Sequence, residues 1–440
     1  MARLDNISER IAHFAVATRD EQFPEPALHM VRLSMLDWLA VARAGMDEPV
    51  AHVVRSLVAE EGGREEAFAM GLDKRVPARA AALLNGSIGH ALDYDDTHFA
   101  SMGHPSAAVV PAALSIAQRA GSDGRAVQQA VLIGAELAVR VGMWLGRDHY
   151  RRGFHITATA GSFGAAMAAV RLLGLTAKQA SHALSLAASR AAGVKAQFGS
   201  MGKPFHAGLA ASNGVEAALL AQKGFQAADA TLEGAQGFAR SHHGEFNLQA
   251  FDTLGDTYIF EKVSHKFHAC CHGLHAALEA LTDLRDKQGV EPDDIVNMQI
   301  TVHPQYLDIC NITEPASGLQ CKFSYTMTAA MLMYRHDTAR LDVYNDDICD
   351  DVALKELGSR ISVEVDATMS ETYASVRVTL RNQTTLHASH DLLAIVSATE
   401  REEKILNKAS GLLSRSDSMR LWDVLNHGGD LPLPKIFNNA

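Results

Sequence analysis

The sequence predicts a mainly α protein, a large all-helical domain joined to a smaller α+β domain, and three observations carry that expectation. Apolar residues recur at helical spacing through the first two thirds of the chain. Small residues crowd "ATAGSFGAAMAAV" and "HAGLAASNGVEAALLA", which lets helix backbones approach closely in a bundle. Beyond residue 290 the period changes from helical to alternating. Met298, Ile300 and Val302, then Ile361, Val363 and Val365, then Val376, Val378 and Leu380 each lie two apart.

Taken in order, Leu4, Ile7, Ile11 and Phe14 form one helical stripe. Pro26 opens a second helix, Ala27 to about Ala44, with so little polar face that it reads as buried. Further helices are expected over about 76–95, 106–120, 125–146 and 159–173, and Thr176 with Gln179 reads as a capping box for the next. In the last third the alternating segments are strands, with helical patterns at about 272–287, 322–335 and 350–357 between them. The tail from about 398 is helical again. The expected division is 1–265 plus 396–440 for the helical domain and 266–395 for the α+β domain.

With 440 residues, 47% of them hydrophobic and 21% charged, the chain can bury a large core. The net charge of -11, from 40 basic and 51 acidic residues with no basic run, argues against nucleic acid or an anionic membrane as partner. Any site for anions must therefore be locally basic. No run of about 18 uncharged apolar residues occurs, and the first twenty residues read as an amphipathic helix rather than a signal peptide. The expected location is the cytoplasm. Five cysteines, Cys270, Cys271, Cys310, Cys321 and Cys349, are too few and too clustered for a disulfide framework.

Four polar clusters interrupt this apolar background. In "AALLNGSIGHALDYDDT", read as one helix, Asp93, Asp96 and Thr97 share a face at i, i+3, i+4 while Asp95 points away, and His104 follows. The plain alternative is a solvated helix end with capping aspartates. "RDHYRRGFHITATAG" places Tyr150, Arg151, Arg152 and His155 before a helix starting near Thr157 or Thr159. Free N–H groups and the macrodipole favour an anion there, although a polar interhelical loop has the same pattern. "FGSMGKPFHAG" holds Lys203 in a short, stiff loop ahead of a small-residue helix, where a lysine can carry charge into a pocket or act as a base. Most lysines are simply solvated. "SHKFHACCHGLHAALEAL" offers Lys266, and its His268, Cys271, His272 and His275 have spacings that zinc can use. Against that stands a set of half-buried histidines at a helix start. With no second ligand pair elsewhere, neither a metal nor a cofactor is expected.

Together "HALDYDDT…GHPSAAVVPA", "GFHITATAG", "GKPFHAG", "LEGAQGF" and "HKFHACCHGLH" resemble the MmgE/PrpD family in order and spacing over nearly the whole chain. The resemblance implies an all-helical domain built from the N-terminal part and the C-terminal helices, a smaller α+β lid, and a homodimer. It also implies one of three activities on small polycarboxylates: 2-methylcitrate dehydration, cis-aconitate decarboxylation or iminodisuccinate epimerisation. Asp93, Thr97, His104, His155, Lys203 and Lys266 stand where decarboxylase-like members place their site residues. Tyr150 and Lys203 match the acid and base of the epimerase, and Tyr325 in "KFSYTMTAAML" resembles the lid tyrosine. Asp96 joins Thr97, Lys266 and Tyr325 as a substrate-binding candidate. Ile156 in place of a usual proline, and His268 and His272 in place of aromatic residues, depart from the family and bear on substrate identity.

All three reactions move protons next to a carboxylate, so they need fixed cations and an acid and base of tuned pKa. The leading expectation is a metal-independent 2-methylcitrate-dehydratase-like lyase, followed by the epimerase and then the decarboxylase. A polycarboxylate-binding scaffold is the non-enzymatic alternative, set back by the cost of burying so many ionisable groups without use.

Overall fold

The structure is a computed structural model that describes residues 6–394 and 396–437; Leu4, assigned to the first stripe, lies outside them. The helices run in the order α1 (Ile7–Ala17), α2 (Glu25–Ala44), α3 (Pro49–Glu61), α4 (Ala78–Gly89), α5 (Pro105–Ala120), α6 (Gly124–Arg151), α7 (Ile156–Leu172), α8 (Ala177–Ala188), α9 (Gly202–Gln222) and α10 (Phe238–Ser241). Next come α11 (His272–Asp286), β1 (Ile295–Val302), α12 (Gln305–Cys310), α13 (Gly318–Cys321), α14 (Tyr325–Met333), α15 (Val352–Gly358), β2 (Ile361–Val365), β3 (Tyr373–Leu380) and β4 (Thr385–Asp391). The last helices are α16 (Ala398–Leu412), α17 (Arg415–His427) and α18 (Leu433–Phe437). The fold is mainly α with a smaller α+β part. Two compact units divide the chain, one comprising the residues up to His265 and those from Ile405, the other Lys266–Lys404. The second boundary falls inside α16.

In the first unit α7 is buried from Ile156 to Val170, and small residues make that possible. A methyl added at Gly86 of α4 would meet the Gly208 Cα of α9 at 2.9 Å, and one at Gly214 of α9 would meet the Ala166 N of α7 at 2.5 Å. These close crossings matter because each helix delivers one polar end to the same place. The C-terminus of α4 leads into His90, the N-cap of α7 is His155, and the first turn of α9 carries Lys203 and His206. Helix α6 is long and apolar enough to cross a membrane, but 89% of its apolar window is buried inside the protein, as for a core helix. Its buried Arg140 donates to Glu136 at 2.5 Å and to the carbonyls of Ala250 and Thr257 at 2.7 Å, which pins the following loops.

One expected element is corrected. The helix read through "AALLNGSIGHALDYDDT" stops at Gly89, against which the Trp38 indole packs so closely that no Cβ fits. Beyond it Asp93 N donates to His90 O at 3.2 Å in a turn, and Asp93 itself is left-handed with φ 50°. The i, i+3, i+4 face does not form. Similarly, α7 begins at Ile156 rather than at Thr157 or Thr159.

The second unit is built on a four-stranded sheet of order β2-β1-β3-β4, with β1 and β2 parallel and the other pairs antiparallel. Ile300 lies opposite Val363 on one side and Val376 on the other; Met298, Ile300, Val302, Ile361, Val376 and Val378 are buried as the alternation predicts, whereas Val363 and Leu380 are half-buried and Val365 is exposed. Helix α11 packs against β3 and β4. Strand β4, "TLHASHD", has only Ala388 buried and carries no apolar alternation that could announce it.

Candidate active site

The segment between α4 and α5 turns one carboxylate inward and uses the next to fix itself. Asp95 is fully buried, with both oxygens on the Nδ1 of His90 at 2.9 and 3.0 Å and one of them 3.4 Å from the Nδ1 of His104. Burial works against its charge, but the fields and hydrogen bonds of His90 and His104 outweigh it and hold the Asp95 carboxyl well below the usual carboxylate range. The Nε2 of His104 lies 3.5 Å from Asp93, whose other oxygen holds the Lys203 ammonium at 2.7 Å. The outcome is a continuous line, Lys203–Asp93–His104–Asp95–His90, in which basic side chains and carboxylates alternate. His104 is held in turn by its backbone N–H, which donates to the Thr157 hydroxyl at 3.1 Å.

His155 joins this line from α7. Its ring lies 6.0 Å from that of His90 and 4.9 Å from the Phe198 ring, and its Nδ1 is 3.3 Å from the Nδ1 of His206. Burial first, and then the positive surroundings of His90, Lys203, His104 and His206, keep its imidazole well below the ordinary histidine range. His155 is therefore the neutral partner in a cationic setting. The loop behind it is locked to it by the bonds His155 N to Gly193 O at 3.0 Å and Lys195 N to Gly153 O at 2.7 Å.

Other expected site residues are placed differently. Asp96 is buried with both oxygens on Ser106, from the backbone N–H at 3.2 Å and the hydroxyl at 2.5 Å, and so acts as a remote cap on the first turn of α5. Burial pushes its carboxyl up to about 7 against the pull of Ser106, with Asp95 and Asp37 adding to the rise. Thr97 exchanges backbone hydrogen bonds with Ser264 at 2.8 and 2.7 Å. Tyr150 carries the Lys195 ammonium 3.6 Å over its ring, while Lys203 is engaged by Asp93. Within the second unit Lys266 is buried, and the Tyr325 hydroxyl donates to Gly273 O at 2.8 Å with burial pushing its phenol well above the usual range. His90, His206 and Phe198 were not singled out in the sequence. His206 had a signal, three residues after Lys203 on the same helix face.

Asp96 yields a pH test. An acid whose folded pKa is raised keeps its proton in the native state while the unfolded chain, titrating near 4, has lost it. Its contribution to stability therefore falls as pH rises from about 4 to about 7. Asp96→Asn is expected to flatten this slope in melting temperature against pH and to leave turnover nearly intact. Lost substrate binding with an unchanged slope would instead put Asp96 in the ligand site.

Among the described residues, one group has ligand atoms close enough to hold a metal ion: His90, Asp93, Asp95 and His104, all within 4.8 Å of one another. The Lys203 ammonium already neutralises Asp93 there, so the set reads as an acid–base cluster. His268, Cys271, His272 and His275 do not form such a group; His268 Nδ1 is bound to the Thr338 hydroxyl at 2.7 Å and His275 Nε2 to Cys270 O at 3.3 Å. A groove of about 1020 Å³ along α1 and α8 shares no residue with the cluster.

The chain is similar in sequence to several known proteins. Cis-aconitate decarboxylase of Aspergillus terreus is 27% identical over 298 residues, covering 64% of this chain and 60% of that enzyme. Cis-aconitate decarboxylase of Homo sapiens is 26% identical over 376 residues, 80% of this chain and 76% of the relative. The cis-aconitate decarboxylase-like protein oryM of Aspergillus oryzae is 26% identical, with 64% and 62% covered. The chain thus spans about three fifths of the length of the fungal relatives. The model of the MmgE/PrpD N-terminal domain matches residues 9–250, which hold the whole line from His90 to Lys203, and that of the MmgE/PrpD C-terminal domain matches 268–420. With both domain models matched in order across most of its length, the chain belongs to the MmgE/PrpD family.

Proposed function

We propose that the protein is a lyase that acts on a small polycarboxylate by proton transfer beside a carboxylate, with decarboxylation of a cis-aconitate-type acid as its first reaction. The observation that carries this is His104 set between Asp93 and Asp95, with Lys203 on Asp93 and the neutral His155 alongside. In such a decarboxylation the C–C bond to one carboxylate breaks and carbon dioxide leaves. The released electron pair forms a new double bond as the old one takes up a proton. One proton is consumed, and His104, in contact with Lys203 through Asp93, is placed to supply it. Lys203 supplies the fixed positive charge that a negative protein needs to hold a polyanion.

Dehydration of a 2-methylcitrate-type acid is the second reading, favoured by His155. Loss of water needs a base for the carbon-bound proton as well as an acid for the departing hydroxyl, and a neutral imidazole beside a protonated group provides both roles. The Tyr150 and Lys203 pairing of the epimerase reading gains no support from the contact of Tyr150 with Lys195.

The test is incubation with cis-aconitate, 2-methylcitrate and iminodisuccinate in deuterated water containing EDTA, read by NMR. The expected result is carbon dioxide release with one deuterium in the product, unaffected by the chelator. Loss of water, or deuterium exchange at a stereocentre without net loss, would name the other branches. Activity that EDTA abolishes and a divalent ion restores would make the four-residue cluster a metal site.

A further inference from the structure

Helix α16 is mostly solvated, and three of its residues are buried: Ile405, Lys408 and Ala409. A lysine thus occupies the apolar face. Its side chain is 2% exposed and its ammonium lies 2.6 Å from Asp37, a fully buried carboxylate on α2. The same ammonium donates to the Tyr94 carbonyl at 2.7 Å and sits 3.8 Å over the Tyr94 ring. A buried pair of this kind is weak as a stabilising device, because apolar residues of the same volume do as well or better. Its placement offers a different reason. Tyr94 is the residue between Asp93 and Asp95, so Lys408 grips the peptide that joins the two carboxylates of the acid–base line. That peptide needs a grip, since Asp93 is held at φ 50°, a left-handed conformation that strains a non-glycine residue.

We infer that Lys408, anchored by Asp37, is a positioning residue for the site: it sets the Tyr94 peptide so that Asp95 meets His90 and His104 while Asp93 meets Lys203. The role rests on the reading of that line as the catalytic centre, and it extends the centre to a helix more than three hundred residues away in the chain. Lys408 touches no reacting atom. Its effect passes through the backbone, so it should appear in the rate of the chemical step and in the hydrogen bond from His90 to Asp95 rather than in stability.

The deciding variant is the double substitution Asp37→Asn with Lys408→Met, which removes both charges and avoids the stranded carboxylate that Lys408→Met alone would leave. Two readouts are taken on folded protein at one pH: kcat and KM on the accepted acid, and the ring N–H signal of His90 in protein labelled with ¹⁵N-histidine, assigned with His90→Gln. The expected result is a melting temperature close to wild type, kcat lowered about tenfold or more with KM changed less, and a His90 N–H signal shifted or lost. A stable double variant with unchanged kcat and an unchanged His90 signal would overturn the inference. So would a loss of activity matched only by the unfolded fraction. If the wild-type protein turned over none of the acids, the functional reading would fall and the His90 signal would decide the positioning role by itself.

Discussion

Lys203→Met is expected to lower kcat by at least about a hundredfold, the usual cost of losing one fixed group that stabilises charge at the reacting centre, in a protein that stays folded. Methionine keeps most of the volume, and the carboxylate it releases, Asp93, is one-third exposed and can turn to water. Folding therefore loses little and chemistry loses much. Without the ammonium at 2.7 Å, Asp93 loses the charge that balances it beside His104, and the line from Lys203 to His90 is cut at its charged end. Lys203→Arg separates two roles. Arginine keeps the charge and holds Asp93 well but does not give up a proton, so it restores binding without restoring turnover if Lys203 itself transfers the proton. Full activity in the arginine variant would limit Lys203 to charge and place the proton on His104 or His155. Near-normal turnover in a folded methionine variant would remove Lys203 from the reaction. Circular dichroism and a steady-state assay on both variants suffice.

The sequence made the helical part legible because burial leaves periodic marks. The fully apolar second helix became α2, and the capping box at Thr176 and Gln179 is present with the Gln179 backbone N–H on the Thr176 hydroxyl at 3.3 Å. The central strands β1 and β3 announced themselves because one face of each is buried, the edge strand β2 by its apolar alternation alone, whereas the other edge strand, β4, has mixed exposure and no such alternation. The site was legible as residue types gathered in quoted motifs, but not as geometry. Continuing α4 as far as Thr97 assigns Asp96 to the site and Asp95 away from it, and the turn after Gly89 reverses the two. Spacing cannot foresee that reversal, because it depends on a left-handed Asp93 and on a carbonyl held by Lys408 from the far end of the chain. His90 escaped notice for the same reason: its five-residue separation from Asp95 is meaningless on a helix and becomes a hydrogen bond only across a turn.

Asp95→Asn is expected to have the largest effect, lowering kcat about a thousandfold, within the range of a lost acid or base that also mis-sets its partner. As a carboxylate, Asp95 accepts from the Nδ1–H of His90 and faces the Nδ1 of His104, which fixes the orientation of both rings and leaves the Nε2 of His104 turned toward Asp93. An asparagine has one acceptor and one donor. One imidazole then meets an N–H where it needs an oxygen and must change tautomer, which turns its working nitrogen away from its role. The substitution also tests the charge itself through stability. Asp95 is held below the usual carboxylate range by the two histidines, and an acid with a depressed folded pKa stabilises the native state above its unfolded value near 4. That contribution is lost as pH falls below about 4 toward the folded value. Urea midpoints measured from neutral pH down to about 3 should therefore fall less steeply below pH 4 in Asp95→Asn than in the wild-type protein. Parallel acid limbs would show that Asp95 is not ionised against His90 and His104 in the folded protein, and a variant that kept its turnover would show that the tautomers of those rings do not matter to the reaction.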